Sequence, residues 1–456
     1  MPKKKTALTI EERLQQALVP AEEQPYEVPE NWVWVYGKNI FMPMESRKPD
    51  GEDFYYIDID AIDNKNQVVT EAKKIKTAQA PSRASRKLHT GDTVFSLVRP
   101  YLKNIAYIDV QLSDCIASTG FFVCTPNAAL NDKYLYRLMV SSYVVDGLNK
   151  HMKGDNSPSI RKDDIENYPF PLPPLSEQQR IVERIEELFT KLDEAKERLQ
   201  EVADSFAVRK AAILHKAFTG ELTKQWRLEN GVSDESWEEK LLGDVCTVNP
   251  KKIDAKNLDD NLEVSFVPMA AVSDVLGEIV NHEVKNLQDV RTGFTNFSKG
   301  DVIFAKITPC MENGKSAIVG PLVNDIGYGS TEFYVLRCKE ELNNKYLYHM
   351  VRNTTFRAEA KAVMTGAVGQ QRVPKTFLQE YQLLLPTLPE QHEIVRLIDD
   401  LLARERAAQQ AAEQALASID LMKKSILARA FRGELGTNKA SEASALELLK
   451  QVLAEN

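Results

Sequence analysis

The chain has 456 residues, of which 43% are hydrophobic, 8% aromatic and 27% charged, and its formal net charge is −8. That composition supports two or three domains with separate cores and excludes a fibrous, low-complexity or disulfide-dense chain. The acid excess argues against a uniformly basic nucleic-acid coat, so any phosphate contact must come from a local basic face, with the acid collected elsewhere.

In chain order, Lys3, Lys4 and Lys5 precede a polar amphipathic stretch from Thr6 to Gln16 instead of an apolar signal core. No later window reaches the length of a membrane span, so nothing directs the chain outward. Residues 1–25 are expected to form an N-terminal helical segment around Leu14–Leu18. Residues 26–172 are mixed: β-rich runs at Trp32–Val35 and Asp92–Val98 alternate with Gly, Asn and Pro turns and a helix near Tyr134–Leu148. This pattern predicts an α+β domain around a curved sheet.

Residues 173–222 read as a long helix. Apolar positions step by four and three through Ile181, Ile185, Leu188, Leu192, Ala195, Leu199, Val202 and Phe206, a heptad seam. Pro173 and Pro174 set the entry, Ser176 is the expected N-cap with Glu177 in the positive first turn, and Gly220 lies where the helix should stop. A second mixed domain follows at 234–386, with a strand at Phe333–Leu336 and a helix near Tyr346–Ala362. Residues 387–435 form the second helix, with seam positions Ile394, Ile398, Leu401, Ala408, Ala412, Ala415, Ile419, Met422 and Ile426, interrupted by Glu405. Each helix should run about 40 residues and about 60 Å. The tail, 436–456, should place Leu446–Leu453 beside the N-terminus.

The chain also repeats itself. A shift of 213 residues lays Pro173–Val182 on Pro386–Val395 and holds without a gap to Ile213–Leu222 on Ile426–Leu435. Small offset changes recover Asn131–Tyr136 against Asn343–Tyr348, Ser118–Val123 against Ser330–Val335, and Gly91–Phe95 against Gly300–Phe304. Connectivity makes two paired helices antiparallel, and the stretch after Gly220 that leads to Trp237 resembles the N-terminal Val28–Trp32. The expected result is a dumbbell with two-fold pseudosymmetry. Its two domains share framework residues and differ in their loops, which suits binding of related but different things.

The motif Pro-Pro-Leu-x-Glu-Gln-x-x-Ile-Val opens a heptad helix and recurs in a close variant from Pro386. Each copy ends in Ala-Phe-x-Gly-Glu-Leu, at Ala217–Leu222 and Ala430–Leu435. This arrangement resembles the specificity subunits of type I restriction-modification systems across nearly the whole chain. The resemblance implies an α+β architecture of two pseudo-symmetric target-recognition domains joined by two long antiparallel coiled-coil helices. It also implies a double-stranded DNA target read in two blocks, a pair of methyltransferase subunits and a pair of restriction or translocase subunits. This chain would be non-catalytic and hold no cofactor; S-adenosylmethionine, ATP and Mg belong to the partner subunits.

The basic residues fit a DNA partner. Between Ala72 and Asn104 stand Lys73, Lys74, Lys76, Arg83, Arg86, Lys87, Arg99 and Lys103 against one acid, Asp92. With Tyr101 and the loop residues Lys153, Asn156 and Ser157, these are the candidate DNA contacts of the first domain. Those of the second are Lys306, Lys315, Thr365, Gly366, Gln370, Gln371 and Arg372. Arg, Lys, Gln and Asn can read base edges, while Lys and small Gly or Ser loops hold phosphates. A rigid helix pair would fix the gap between two read blocks, and a ~60 Å spacer caps the footprint at roughly 17 base pairs.

Other chemistries have only partial matches in the sequence. Pro309–Ser316 ends like a phosphate loop but has proline where its first glycine is required. Asp50, Glu71 and Lys73 match the loose spacing of a Mg²⁺-dependent nuclease, with no copy in the second domain. The five cysteines, Cys115, Cys124, Cys246, Cys310 and Cys338, have no metal-gripping spacing and suit a reducing cytoplasm. The rival of another class is a coiled-coil scaffold that joins protein partners without touching DNA.

Overall fold

The structure is a computed structural model describing residues 9–255 and 257–455. Lys3–Lys5 and the start of the Thr6–Gln16 stretch lie outside the described residues. The chain divides into two compact units, one of the described residues up to Leu199 together with those from Gln414 on, the other Gln200–Glu413.

The first unit contains a four-stranded sheet in the order Lys73–Lys76, Asp53–Ile57, Ile116–Ser118, Ala84–Lys87, and a three-stranded sheet of Phe121–Cys124, Thr93–Ser96 and Ile105–Tyr107. Val33–Tyr36 pairs with Pro169–Leu172, directly before the first long helix. The second unit has two four-stranded sheets, Glu283–Asn286, Glu263–Val267, Gly327–Gly329, Thr295–Phe297 and Cys246–Val248, Phe333–Cys338, Val302–Ala305, Ser316–Ile318. Glu238–Leu241 pairs with Gln382–Leu385 ahead of the second long helix. In each unit one strand pair is parallel, Asp53–Ile57 with Ile116–Ser118 and Glu263–Val267 with Gly327–Gly329. The architecture is mixed α+β, although the strands divide among several small sheets where one curved sheet was expected.

The predicted helix near Tyr134–Leu148 is two, Asp132–Met139 and Ser142–Asn149, and that near Tyr346–Ala362 is also two, Asn344–Arg352 and Thr354–Ala362. The breaks fall at Ser141 and Asn353, whose side chains accept from the amides of Val144 and Thr355 and so start a new helix.

The repeated motif has a structural reason. The long helices span Leu175–Phe218 and Leu388–Ala430, so Ser176 lies inside the first turn and is not the N-cap; its hydroxyl donates to Glu442. Gln178 is fully buried: its oxygen accepts from the Asn131 amide at 2.7 Å and its nitrogen donates to the carbonyls of Ala129 and Pro173. Gln391 repeats this with Asn343, Glu341 and Pro386. Each glutamine thus ties the long helix to the start of its own domain's helix, satisfying orphan backbone groups in a place water does not reach.

The preceding glutamates, also fully buried, receive the chain strap that closes each unit. Glu177 accepts from the Trp32 indole at 2.7 Å and from Asn438 at 2.8 Å; Glu390 accepts from Thr223 and Arg227, each at 2.7 Å. The closing turns run through Gly220 and Gly433, at φ of +80° and +75°, where a β-carbon on Gly433 would sit 2.4 Å from Pro29. In the first unit the helix Ala445–Glu455 lies along Ile10–Ala17, and Arg13 donates to the Leu453 carbonyl.

Within the first unit, Ile181, Val182 and Ile185 meet Leu427, Ala430 and Phe431 over Tyr134, Leu135 and Leu138. In the second, Leu214 and Ala217 meet Ile394, Val395 and Ile398 over Tyr346 and Leu347. Asp193 pairs with Lys423 in the first unit and Arg209 with Glu405 in the second, so positions rise along one helix as they fall along the other: the pair is antiparallel. Glu405, the break in the predicted seam, is held by Arg209 Nε at 2.9 Å. Three predicted seam positions face outward, Val202, Ala408 and Met422, because an α-helix of 3.6 residues per turn drifts away from a strict 3.5-residue repeat. The helices carry only a slight acid excess: nine carboxylates against eight Lys or Arg in the first, and seven against six in the second.

Candidate nucleic-acid interface

The basic run of the first unit is divided between opposite edges of one sheet. Lys73, Lys74 and Lys76 lie on the Lys73–Lys76 edge strand, exposed, with Lys73 at 3.0 Å from Asp58 and Lys74 at 3.2 Å from Asp53. Arg86 and Lys87 lie on the other edge strand, where Lys87 is 2.6 Å from Glu45 and the Arg86 Nε is buried without a hydrogen-bond partner. Lys76 and the exposed Arg83 have no ion pair among the described residues. The charge available to a polyanion is therefore smaller than the sequence count.

A second group is brought together tightly. Pro100–Leu102 form a short 3₁₀ turn whose flanking residues Arg99 and Lys103 are left-handed, at φ of 48° and 58°. Such conformations are costly for residues with a β-carbon and need surrounding support. The loop that carries Lys153, Asn156 and Ser157 supplies it: the Arg99 amide donates to the Pro158 carbonyl at 2.8 Å, its guanidinium to the Asn156 carbonyl at 2.9 Å, and Lys153 and Ser159 exchange two backbone bonds. Arg99, Tyr101 and Lys103 thereby share one locale with Lys153, Asn156 and Ser157, and Tyr101 is 45% exposed.

The second unit builds the same device from different residues. Ile307 bridges Arg372 as Val98 bridges Ser159, and Thr365 bridges Arg372 as Lys153 bridges Ser159. The Thr308 amide donates to Gln371, and the Val373 amide to Lys306. Thr308 precedes Pro309 through a cis peptide, at the place where Arg99 precedes Pro100. Gly366, at φ of +125°, and the exposed Gln370 shape the loop. Arg372 makes a two-pronged contact with Glu332 at 2.9 and 2.8 Å, and this hydrogen bonding holds the Glu332 carboxyl below its ordinary value. Lys306 sits 5.2 Å from the Tyr334 ring centre. Lys315 does not join the group: it is half-buried and donates to the Met269 carbonyl at 3.2 Å.

Two contributors escaped sequence reading. Glu332 stands forty positions from Arg372, and no local signal links them. Tyr55, 53% exposed and registered opposite Lys74, had a signal in the strand alternation that buries Phe54 and Tyr56 on the other face.

Other chemistries find no assembled site. Among the described residues no three His, Cys, Asp or Glu side chains gather to hold a metal ion. Asp50 is instead 3.3 Å from Arg47, and Lys73 is engaged by Asp58. The Pro309–Ser316 segment is a tight turn whose Ser316 hydroxyl donates to the Gly314 carbonyl. No helix among the described residues is long and apolar enough to cross a membrane.

The sequence profile described as "Type I restriction modification DNA specificity domain" matches residues 38–203 and again 234–415. The chain belongs to that family. Among relatives of this specificity-domain family, the EcoEI specificity subunit of Escherichia coli is 33% identical over 263 residues, covering 48% of this chain and 44% of that protein. The chain thus matches less than half the length of that relative. The StySPI specificity subunit of Salmonella potsdam is 25% identical over 348 residues, covering 72% of this chain and 73% of that one. Among solved structures, the HsdS subunit from Thermoanaerobacter tengcongensis superposes with a TM-score of 0.70 at 27% identity, covering 91% of this chain and all of that one. A chain from work on complex assembly and conformational transition of the type I R-M system reaches 0.66 at 25% identity, over 90% of this chain.

Proposed function

We propose that this chain is the DNA-reading subunit of a type I restriction-modification complex, each of its two mixed domains reading one block of a split duplex target. The observation that carries the reading is the duplicated turn-and-loop device. One backbone scaffold presents Arg99, Tyr101, Lys103, Lys153, Asn156 and Ser157 in one unit, and Lys306, Thr365, Gly366, Gln370, Gln371 and Arg372 in the other. Shared backbone with unshared side chains is what two readers of different short sequences require, since register is set by phosphate contacts and sequence by side chains at base edges. The strand lysines Lys73, Lys74 and Lys76, with Arg83, Arg86 and Lys87, add phosphate contacts, and Lys315 supports the second domain from within.

The relatives named as specificity subunits and the assembly studied in the second solved structure support a further part of the reading. The chain docks two methyltransferase and two restriction subunits in the cytoplasm, and they supply the catalysis. The test is binding of the chain, with its methyltransferase partner, to duplex DNA over a range of salt. Affinity that falls steeply with salt and is highest for one split motif is the expected result. No binding, or binding indifferent to salt, would remove the DNA reading.

A further inference from the structure

The second unit holds a cavity of about 920 Å³ that the DNA reading does not use. It lies where the two long helices face the mixed domain of that unit, and its size is that of a site for a small molecule. Part of the wall is apolar, from Leu214, Ile279 and Leu402, and besides Lys345, which Asp399 engages, four cations line it: Lys210, Arg352, Arg357 and Arg406.

None of the four is in an ion pair among the described residues. Arg352 donates to the backbone carbonyls of Gly314, Ser316 and Asp274, and Arg357 to those of Glu312 and Arg352. These bonds aim the guanidinium groups without neutralising them. Lys210 and Arg406 have no hydrogen-bond partner among the described residues. Of the carboxylates on the wall, Asp399 is taken by Lys345 and His349, each at 3.0 Å, and Asp274 accepts from its neighbour's amide; Glu278 is the third. Lys210 still reaches water, but crowding by protein and then the positive charges of Arg352, Arg406 and Arg357 push its amine below the ordinary value. Like charges held together in this way favour an anion between them.

Comparison of the two copies shows that the scaffold does not require this. The shift of 213 residues lays Lys210 on Lys423 and Arg406 on Asp193. In the first unit those two positions are an ion pair at 2.5 Å. In the second, the same two positions carry like charges facing a cavity.

We propose that the cavity binds a phosphorylated small molecule of the nucleoside di- or triphosphate class, its phosphates on Lys210, Arg352, Arg357 and Arg406 and its base against the apolar wall. Guanidinium groups suit phosphate because they offer paired donors in one plane. This proposal is independent of the DNA reading, and duplex binding is measured in a separate titration.

The experiment is calorimetric titration of the full chain with ATP, inorganic tripolyphosphate and adenosine in metal-free buffer. ATP and tripolyphosphate should bind and adenosine should not. The K210A/R406A double variant removes two exposed, unpartnered side chains and should weaken ATP at least tenfold. K196A/R198A changes the charge equally on an exposed stretch of the first long helix outside the cavity and should leave ATP binding unchanged. Lys210→Gln, read alone, serves as the milder variant if the double does not fold. Absence of ATP binding, equal loss in both doubles, or loss confined to the duplex DNA titration would overturn the proposal.

Discussion

Glu177 and Glu390 hold the same position in the duplicated motif, yet their partners differ in charge. Glu177 is satisfied by neutral donors from Trp32, Thr437 and Asn438, while Glu390 faces the nearly buried Arg227 guanidinium at 2.7 Å. Removing a buried hydrogen-bond acceptor leaves donors unsatisfied at a cost of about 1–3 kcal/mol, whereas removing one partner of a buried ion pair costs about 3–5 kcal/mol. Glu390→Ala should therefore destabilise the second unit more than Glu177→Ala destabilises the first, as read by denaturant unfolding. Trp237 Nε1 and Glu390 Oε2 are both buried without partners, so Trp237→Phe should be nearly neutral while Trp32→Phe is not. Asp399 gives a pH prediction. Hydrogen bonding to His349, with help from Lys345, holds its carboxyl down to about 2. Because the folded value is depressed, the stabilisation is present above the unfolded carboxylate range near 4 and is lost as pH falls through 2. The group is partly solvated, so Asp399→Asn should lower stability by no more than about 1 kcal/mol near neutral pH and progressively less in acid. For DNA, alanine at Lys76 or Arg83, which lack ion pairs among the described residues, should each flatten the salt dependence of binding by about one counterion. Lys87→Ala, already neutralised by Glu45, should change it less.

The long helices show where periodicity is a reliable guide and where it fails. Ile181, Ile185, Phe206, Ile394, Ile398 and Ile419 are buried as the seam predicts. Val202 and Met422, 45% and 50% exposed, are not, because the heptad pattern says which residues are apolar but not how far a straight helix has rotated after about seven turns or more. Ile185→Ala should cost about 2–5 kcal/mol in chemical denaturation and Val202→Ala within about 0.5 kcal/mol, a contrast that a perfect seam would erase. If helix length governs the unread gap, four residues inserted into both helices, about 6 Å, should lengthen the methylated split motif by roughly two base pairs. Methylome sequencing of cells that carry the insertion reads the change directly.

At the scale of the molecule, the repeat, the helices and the family were legible because each is written in contiguous residues: a proline-led entry, a heptad run, a terminal glycine. The glutamine and glutamate of the motif were visible but not their jobs, since Gln178 acts on Asn131 and Glu177 on Trp32, far away in sequence. The turn-and-loop sites were half legible. Lys153–Ser157 and Thr365–Arg372 stood out by composition, while the strand bridges that seat them on Val98 and Ile307 join positions some sixty apart. The basic run misled in part, because counting charges along the chain does not reveal that Asp53, Asp58 and Glu45 stand beside them. The cavity was invisible, for the four cations of the proposed site come from positions 210, 352, 357 and 406.

The strap that closes the first unit has a consequence in time as well as space. The second unit is one unbroken stretch, whereas the core of the first includes Phe431, Leu449 and Val452, which pack with Trp32 and Tyr134. During synthesis the domain made first must therefore wait, its apolar surface uncovered, until the residues from Phe431 to Val452 are made, while the domain begun later can close before it. A chain halted at residue 430 would carry a sound second unit and an unsealed first. Hydrogen exchange on a variant that stops at residue 430 should show protection lost around Tyr134 and Ile185 and kept around Tyr346 and Ile398.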